Sequence, residues 1–348
     1  MGKNNVWGDL DGLSGELDES YNPFDYVLDT HSPSFNYLFG NTHGLPLGAS
    51  VVLIGPPKGG KTLIANDFIA KLHESDPNAL AIKFDTELRS SFQSNTTLQT
   101  GIDKSRLRVW ETNRPNEIFD RIEKDIAAFQ EKSKNQIKLI VIDSLTGIAG
   151  RRSLNADSVD QQQIGDEALT IGTGLKRIMP ILRRYKIALV ATVHIRAELD
   201  RLEQMRGHTT KAAMPYAAKH TFEYFVNVEP NQTKDGKVFD EEKTDLKDKA
   251  IQTGHKILAK MTESSCSPKG RIAEFTLDYN RGIVNIGAEV AQLTCSTGVV
   301  KRPNNRTYEI CGLSWNGRTN YENALEEDLS LRKDVLEMIK NSDKIVKL

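Results

Sequence analysis

The apolar run Val51-Val52-Leu53-Ile54 passes without a break into Gly55-Pro56-Pro57-Lys58-Gly59-Gly60-Lys61-Thr62, and an amphipathic stretch follows over 63–72. This is G-x-x-x-x-G-K-T between a strand and a helix, the pattern of a phosphate-binding loop. Few features restrict a chain as much, because the loop works only where a strand aims it and a helix N-terminus backs it. Gly55, Gly59 and Gly60 let backbone N–H groups turn inward around phosphate oxygens, and Pro56, Pro57 and Lys58 complete the turn. Lys61 is placed to neutralise β- and γ-phosphate charge, and Thr62 to ligate magnesium. A nucleoside triphosphate with Mg2+ is therefore expected on residues 55–62.

Around this loop, β-like runs alternate with helical patterns in the order of a mostly parallel sheet covered by helices, so the expected fold class is α/β. Strands are expected near 51–55, 79–85, 106–111, 138–144 and 187–194, with helices near 61–73, 116–134 and 160–185 between them. Later strands are expected near 222–229, 254–262 and 271–278. In the second helix Ile118, Ile122, Ile126 and Phe129 recur as one core-facing stripe, and Asn116 and Asp120 supply early-turn chemistry. Between Lys234 and Lys249 eleven of sixteen residues are charged, five Lys against six Asp or Glu, which reads as a solvated hairpin or a disordered insertion. At 348 residues the chain exceeds one typical domain, so a large core plus a smaller module is expected. A helical segment from residue 288, a polar stretch and a helical run over 329–340 mark that module at the C-terminal end.

The formal net charge is −1 at pH 7, so no global basic field announces a nucleic-acid partner, and any such contact has to come from local loops. There is no run of about 18 apolar residues, and the polar start 1–5 lacks the apolar stretch of a signal peptide. The expectation is a cytoplasmic chain with no membrane partner. Cys266, Cys295 and Cys311 are odd in number and lack metal-ligand spacing, which points to reduced thiols without chemistry.

Two acidic strand ends complete the picture of a nucleotide site. Lys138-Leu139-Ile140-Val141-Ile142-Asp143-Ser144 is an apolar strand ending in an acid, and Asp143 would hold magnesium directly or through water. Buried strands often end in Asp, but a phosphate loop about eighty residues upstream makes this one informative. Ile82-Lys83-Phe84-Asp85-Thr86-Glu87 delivers Glu87 just past a strand end, where a carboxylate can polarise a water attacking the γ-phosphate. By position alone, a surface Glu at a strand end is the weaker competing reading for Glu87.

Taken in order, Thr30-His31-Ser32-Pro33-Ser34-Phe35-Asn36, Gly44-Leu45-Pro46-Leu47-Gly48, the phosphate loop, Asp85-Thr86-Glu87, Asp143-Ser144 and Val193-His194-Ile195-Arg196 resemble the ATPase core of the RecA recombinases. The bacteriophage UvsX-type members are the most similar. The likeness runs over about 28–340 and includes the late segment Ile272-Ala273-Glu274-Phe275-Thr276-Leu277-Asp278-Tyr279-Asn280-Arg281-Gly282-Ile283. It implies a RecA-like core over 31–287, an N-terminal segment 1–30 for subunit packing and a small C-terminal domain over 288–348. It also implies a DNA-dependent ATPase that uses ATP and Mg2+, coats single-stranded DNA as a homo-oligomeric helical filament, and pairs it with homologous duplex DNA in recombination and repair. Mediator and single-strand-binding proteins are the implied further partners, in the cytoplasm of a bacterial host.

Residue by residue, the resemblance makes Glu87 the catalytic glutamate and Asp143 the magnesium-holding aspartate. His194 falls where RecA carries a glutamine that senses the γ-phosphate; UvsX-type proteins have histidine there, and an imidazole can donate to a phosphate oxygen and switch with it. Segment 150–164 matches the first DNA-binding loop, with Arg151 and Arg152 as its basic candidates. The second loop matches 196–213, where Arg196, Arg201, Arg206 and Lys211 stand against Glu198, Asp200 and Glu203. Such loops would grip a single strand mainly through phosphates. Lys260 matches the basic finger that one subunit offers to its neighbour's ATP, although Thr262 stands where RecA has a second lysine, and Lys256 or Lys269 could substitute. The family's adenine-stacking tyrosine is replaced by Gln93 or Ser94, with Phe92 the nearest aromatic. Two other classes share parts of the pattern: a ring helicase or motor, and a non-hydrolysing DNA-binding protein that modulates filaments.

Overall fold

The computed structural model describes residues 26–90, 101–154, 165–197, 210–214, 216–231, 233–244 and 250–344. In chain order the strands are β1 (Val27–Leu28), β2 (Leu45–Pro46), β3 (Ser50–Gly55), β4 (Leu80–Asp85), β5 (Leu107–Glu111), β6 (Ile137–Asp143), β7 (Ala188–Ala197) and β8 (Thr210–Ala212). They continue with β9 (Tyr224–Pro230), β10 (Lys237–Thr244), β11 (Ala250–Ser264), β12 (Ile272–Asp278), β13 (Gly282–Val284), β14 (Thr307–Ile310) and β15 (Leu313–Asn316). The helices are α1 (Pro33–Tyr37), α2 (Lys61–Ser75), α3 (Ala127–Lys132, continuing a π-helical stretch Asn116–Ile126), α4 (Arg151–Leu154), α5 (Asp166–Arg184), α6 (Tyr216–Lys219), α7 (Ile286–Thr297), α8 (Arg318–Glu327) and α9 (Leu329–Lys344).

Eleven strands form one mixed sheet whose main path is β13-β12-β11-β9-β3-β7-β6-β4-β5, with β10 along β11 and β8 along β7. From β9 to β5 the neighbours run parallel, and β11, β12 and β13 add antiparallel strands at one side. Parallel strands need long returning crossovers, and helices such as α2, α3 and α5 supply them. The central strands β3, β4 and β6 are buried on both faces, which is why they read as near-continuous apolar runs rather than as alternation. Val51 and Leu53 of β3 pack with Ile64 and Phe68 of α2, while Val52 and Ile54 pack with the apolar cluster under Asn116–Ile126 and α5. The α/β class and the mostly parallel centre stand as expected.

Some local expectations shift for physical reasons. In the second helix Ile118, Ile122 and Ile126 are buried, but Phe129 is exposed and Gln130 takes the inward place. The wider π turn moves the inward face to a spacing of four, so a stripe drawn at ordinary helical phase drifts off it. Gln130 is fully used there, since Nε2 donates to the Ile137 carbonyl at 3.1 Å and Oε1 accepts from the Ile137 N–H at 2.8 Å, which fixes the start of β6. The charged stretch contributes β10, paired antiparallel with β11, while 245–249 lies outside the described residues.

At the C-terminal end α7, α8, α9 and the β14–β15 hairpin surround their own apolar cluster, with Tyr321, Leu325, Val335 and Ile339 fully inside it. The helix expected from residue 288 begins at Ile286. Its Glu289 reaches the main core, where Oε2 accepts from Ser32 Oγ at 2.6 Å and from the Ser34 N–H at 3.2 Å. Ser32 Oγ also accepts the Phe35 N–H and so caps α1. The second oxygen, Oε1, is buried without a hydrogen-bond partner.

Burial pushes the Glu289 carboxyl up to about 8, against the opposing bonds from Ser32 and Ser34. The folded protein therefore keeps a proton that the unfolded chain has already released. The associated stability is fully present below the ordinary carboxylate range, declines as pH rises and is lost above the raised value. Glu289→Gln cannot ionise, so its melting temperature relative to the parent should rise between about pH 6 and about pH 9. Thermal unfolding at both values checks this, and an unchanged difference would remove Glu289 from the pH dependence.

Candidate functional site

The carboxyl ends of the parallel strands share one edge of the sheet, and strand register decides which side chains meet there. Gly55 ends β3 opposite His194 of β7, and Asp85 ends β4 opposite Asp143 of β6. Past Gly55 the chain turns through Pro56, Pro57, Lys58, Gly59 and Gly60 into α2. Two positions there accept only glycine. A Cβ on Gly55 would collide with the Val228 carbonyl of β9, and Gly60 has φ 91° with the Ile257 Cδ1 methyl 2.9 Å from where a Cβ would stand. Gly60 is the N-cap of α2 and gives it no side-chain cap, and no acid stands in the first turn, so the positive helix end faces the loop.

Lys61 is buried, and its ammonium donates to the carbonyls of Gly55 at 3.0 Å and Pro56 at 2.7 Å. Burial pulls its pKa down to about 8, against the pull of the Asp143 and Glu87 charges. The same ammonium lies 3.4 Å from His194 Nδ1, and His194 Nε2 lies 2.5 Å from Glu87 Oε1. An ammonium can only donate and a carboxylate can only accept, so these contacts select the imidazole with its proton on Nε2. Lys61, His194 and Glu87 thus form one bonded line. Glu87 is held further by the Ser144 hydroxyl at 3.2 Å and by Arg89 at 3.0 Å. The turn that carries it is fixed by Asp85, whose carboxylate accepts the N–H groups of Glu87, Arg89 and Ser90 at 3.0, 2.7 and 2.6 Å.

Asp143 is buried at the end of β6, where Oδ1 accepts from Thr192 at 2.6 Å and Oδ2 lies 3.4 Å from the Lys83 ammonium. Burial pushes its pKa up, but the Lys83 charge with bonds from Thr192 and Thr62 overcomes this and holds the group below its ordinary value. The peptide from Asp143 to Ser144 is cis. Thr86 braces this corner, because its hydroxyl donates to the Ser144 carbonyl at 2.6 Å and accepts the Ser144 N–H at 2.9 Å.

These groups fit a magnesium nucleotide. The uncapped helix end and the glycines that exclude a Cβ suit phosphate, and a carboxylate joined to the Thr62 hydroxyl is a hard-oxygen pair of the kind Mg2+ takes. Lys260 does not join them. It lies exposed on β11, paired with Asn227 of β9 and Ile272 of β12, on the face opposite Ile257, Ala259 and Met261. Arg151 and Arg152 open α4 and line a cavity of about 230 Å³ with Asp120, Asp166 and Arg177. For Arg196 and Lys211 the structure describes the backbone, paired across β7 and β8. Arg201, Arg206, Phe92, Gln93 and Ser94 lie outside the described residues.

To two residues, Tyr279 and Lys83, no sequence motif assigns a role. Leu277 of β12 approaches the Cβ position of Gly60 to 3.2 Å, and two residues on the Tyr279 hydroxyl bonds His255 Nδ1 at 3.1 Å. Tyr279 directly follows β12, about 220 residues beyond the loop in sequence, so no local spacing ties the two together. The other is Lys83, a lysine inside the buried strand β4, and its presence in an apolar run was the available signal.

Comparison with known proteins gives a consistent result. The profile of the RecA N-terminal domain family matches residues 25–284. Among similar proteins, Protein RecA of Oleidesulfovibrio alaskensis is 21% identical over 292 residues, covering 84% of this chain and 76% of that protein. Protein RecA of Chlorobaculum tepidum is 22% identical over 315 residues, covering 90% of this chain and 83% of that protein. Protein RecA of Ureaplasma parvum is 25% identical over 158 residues, 45% of this chain and 44% of that protein.

Gly55→Ala tests the cradle. The added methyl meets backbone of β9, which cannot move without disturbing the sheet, so the variant should lose about 2 kcal/mol of stability and most nucleotide affinity. Denaturant unfolding and nucleotide titration read both. Unchanged stability would mean that the loop and β9 are further apart than described.

Proposed function

The chain belongs to the RecA family, and from that premise we propose that it is an ATP-dependent recombinase that forms filaments on single-stranded DNA and catalyses homologous pairing and strand exchange. The bonded line Lys61–His194–Glu87 carries the reading. Its middle member stands on β7, the strand that precedes 198–209, so a change at the phosphates reaches the segment proposed to hold DNA through one strand. Glu87 would orient the attacking water as a general base. Lys61, drawn from its loop carbonyls toward a γ-phosphate, would leave His194 to find a new partner. Bound Mg2+, held by Thr62 and Asp143, would neutralise charge on the β- and γ-phosphate oxygens. Tyr279 is the aromatic we assign to the nucleotide base.

For DNA, Arg151, Arg152, Arg196, Arg201, Arg206 and Lys211 would act on backbone phosphates, with little sequence preference. For assembly, Lys260 would complete a neighbour's site. Its exposure on β11, away from its own phosphate loop, supports a role in trans, and the exposed Leu258 and Ile272 beside it suit a face covered by another subunit. Histidine at 194 supports the bacteriophage UvsX type within the family, acting in the cytoplasm of a bacterial host with mediator and single-strand-binding proteins. Among the described residues no helix is long and apolar enough to cross a membrane.

The deciding experiment measures ATP hydrolysis with and without single-stranded DNA, with negative-stain imaging of the same mixtures. DNA-stimulated hydrolysis on filaments is expected; rings would favour a motor, and absent stimulation a non-hydrolysing binder. Glu87→Gln should keep ATP binding and slow hydrolysis by on the order of 100-fold. Normal turnover in that variant would exclude Glu87 as the base. Lys260→Ala should hydrolyse poorly while each subunit still binds ATP, and mixing it with Lys61→Ala should restore partial activity, because some interfaces then pair an intact loop with an intact finger. Co-assembled mixtures no more active than the sum of their parts would count against Lys260 acting in trans.

A further inference from the structure

β4 reads Leu80-Ala81-Ile82-Lys83-Phe84-Asp85, and Lys83 is buried in the middle of it. A buried ammonium is costly unless it is paired, so its partners state its purpose. Lys83 Nζ donates to Asn66 Oδ1 of α2 at 3.2 Å and lies 3.4 Å from Asp143 Oδ2. It thereby ties three elements together: its own strand, the helix that begins at the phosphate loop, and the strand that ends in the proposed magnesium ligand. The other Asp143 oxygen is taken by Thr192. The carboxylate offered to a divalent ion thus already has a resident monovalent cation.

We propose that Lys83 is a positioning residue that sets the magnesium requirement of the nucleotide site. Its ammonium orients Asp143 through Oδ2 and supplies part of the positive charge that Mg2+ would otherwise provide alone. Two effects of opposite sign follow from like and unlike charges at short range. Nucleotide binding without magnesium is strengthened, because Lys83 adds to the charge of Lys61. Magnesium binding is weakened, because the ion arrives beside a fixed cation. A purely structural lysine, serving only to pair a buried acid, would move stability and leave the magnesium dependence where it was.

This inference rests on the ATP reading above, and the test separates the two. Binding of a fluorescent ATP analogue is measured across a Mg2+ titration and in EDTA, for the unaltered protein, Lys83→Met and Lys83→Gln. The Gln variant keeps a donor for Asp143 and Asn66 but carries no charge, so it guards against a Met variant that fails to fold. In the folded neutral variants the half-saturating Mg2+ concentration should fall about tenfold, and binding in EDTA should weaken by a similar factor. The unaltered protein should retain measurable binding in EDTA. An unchanged or higher Mg2+ requirement in a folded neutral variant overturns the proposal, as does loss of all binding by the unaltered protein in EDTA while it binds with Mg2+. No binding by the unaltered protein at any Mg2+ concentration would instead overturn the ATP reading itself.

Discussion

Everything at the candidate site depends on the register of the parallel ladder. Gly55 is paired with His194, and Asp85 with Asp143, so the ends of neighbouring strands release a loop glycine, a histidine and two acids at one level of the sheet. A slip of one residue in any pairing would turn each of these side chains to the opposite face and put an apolar neighbour in its place. The burial of both faces guards against that slip. Val51, Leu53, Leu139, Val141 and Val190 serve one core cluster and Val52, Ile54, Ile140, Ile142 and Leu189 the other, so a shifted strand would misplace apolar side chains on both sides at once. Chemistry at the edge is thus enforced by packing in the middle.

The polar groups are economical in their connections. Asp85 spends its carboxylate on three backbone N–H groups and leaves Glu87 to face His194. Thr86, between them, grips Ser144 from both its carbonyl and its N–H. Each residue of the Asp85-Thr86-Glu87 triplet therefore has a different task, set by the turn that begins where β4 ends.

Much of this was legible in the sequence. The phosphate loop, the acid at the end of β6 and the alternation of apolar runs with helical patterns are local signals, and the core around β3, β4, β6 and β7 follows from them. What stayed hidden depends on partners distant in sequence. Leu277 comes beside Gly60 only because β12 lies two strands from β9, and Lys83 gains its meaning only once Asp143 comes within 3.4 Å of it. The β14–β15 hairpin was missed for a different reason. Its two-residue turn is Cys311-Gly312 with both φ positive, 53° and 75°, a conformation usually announced by Asn or Asp before the glycine. The exposed Phe129 shows a third kind of failure, in which the helical period itself changes.

The pairing of β8 with β7 separates two kinds of change. Ile195 pairs with Ala212 and Ala197 with Thr210, so the chain that leaves at residue 197 and returns at 210 does so from a closed, hydrogen-bonded base. His194 lies just inside that base, on the side of Lys61 and Glu87. A base closed in this way separates the register of β7, which holds His194 opposite Gly55, from the length of chain between 197 and 210.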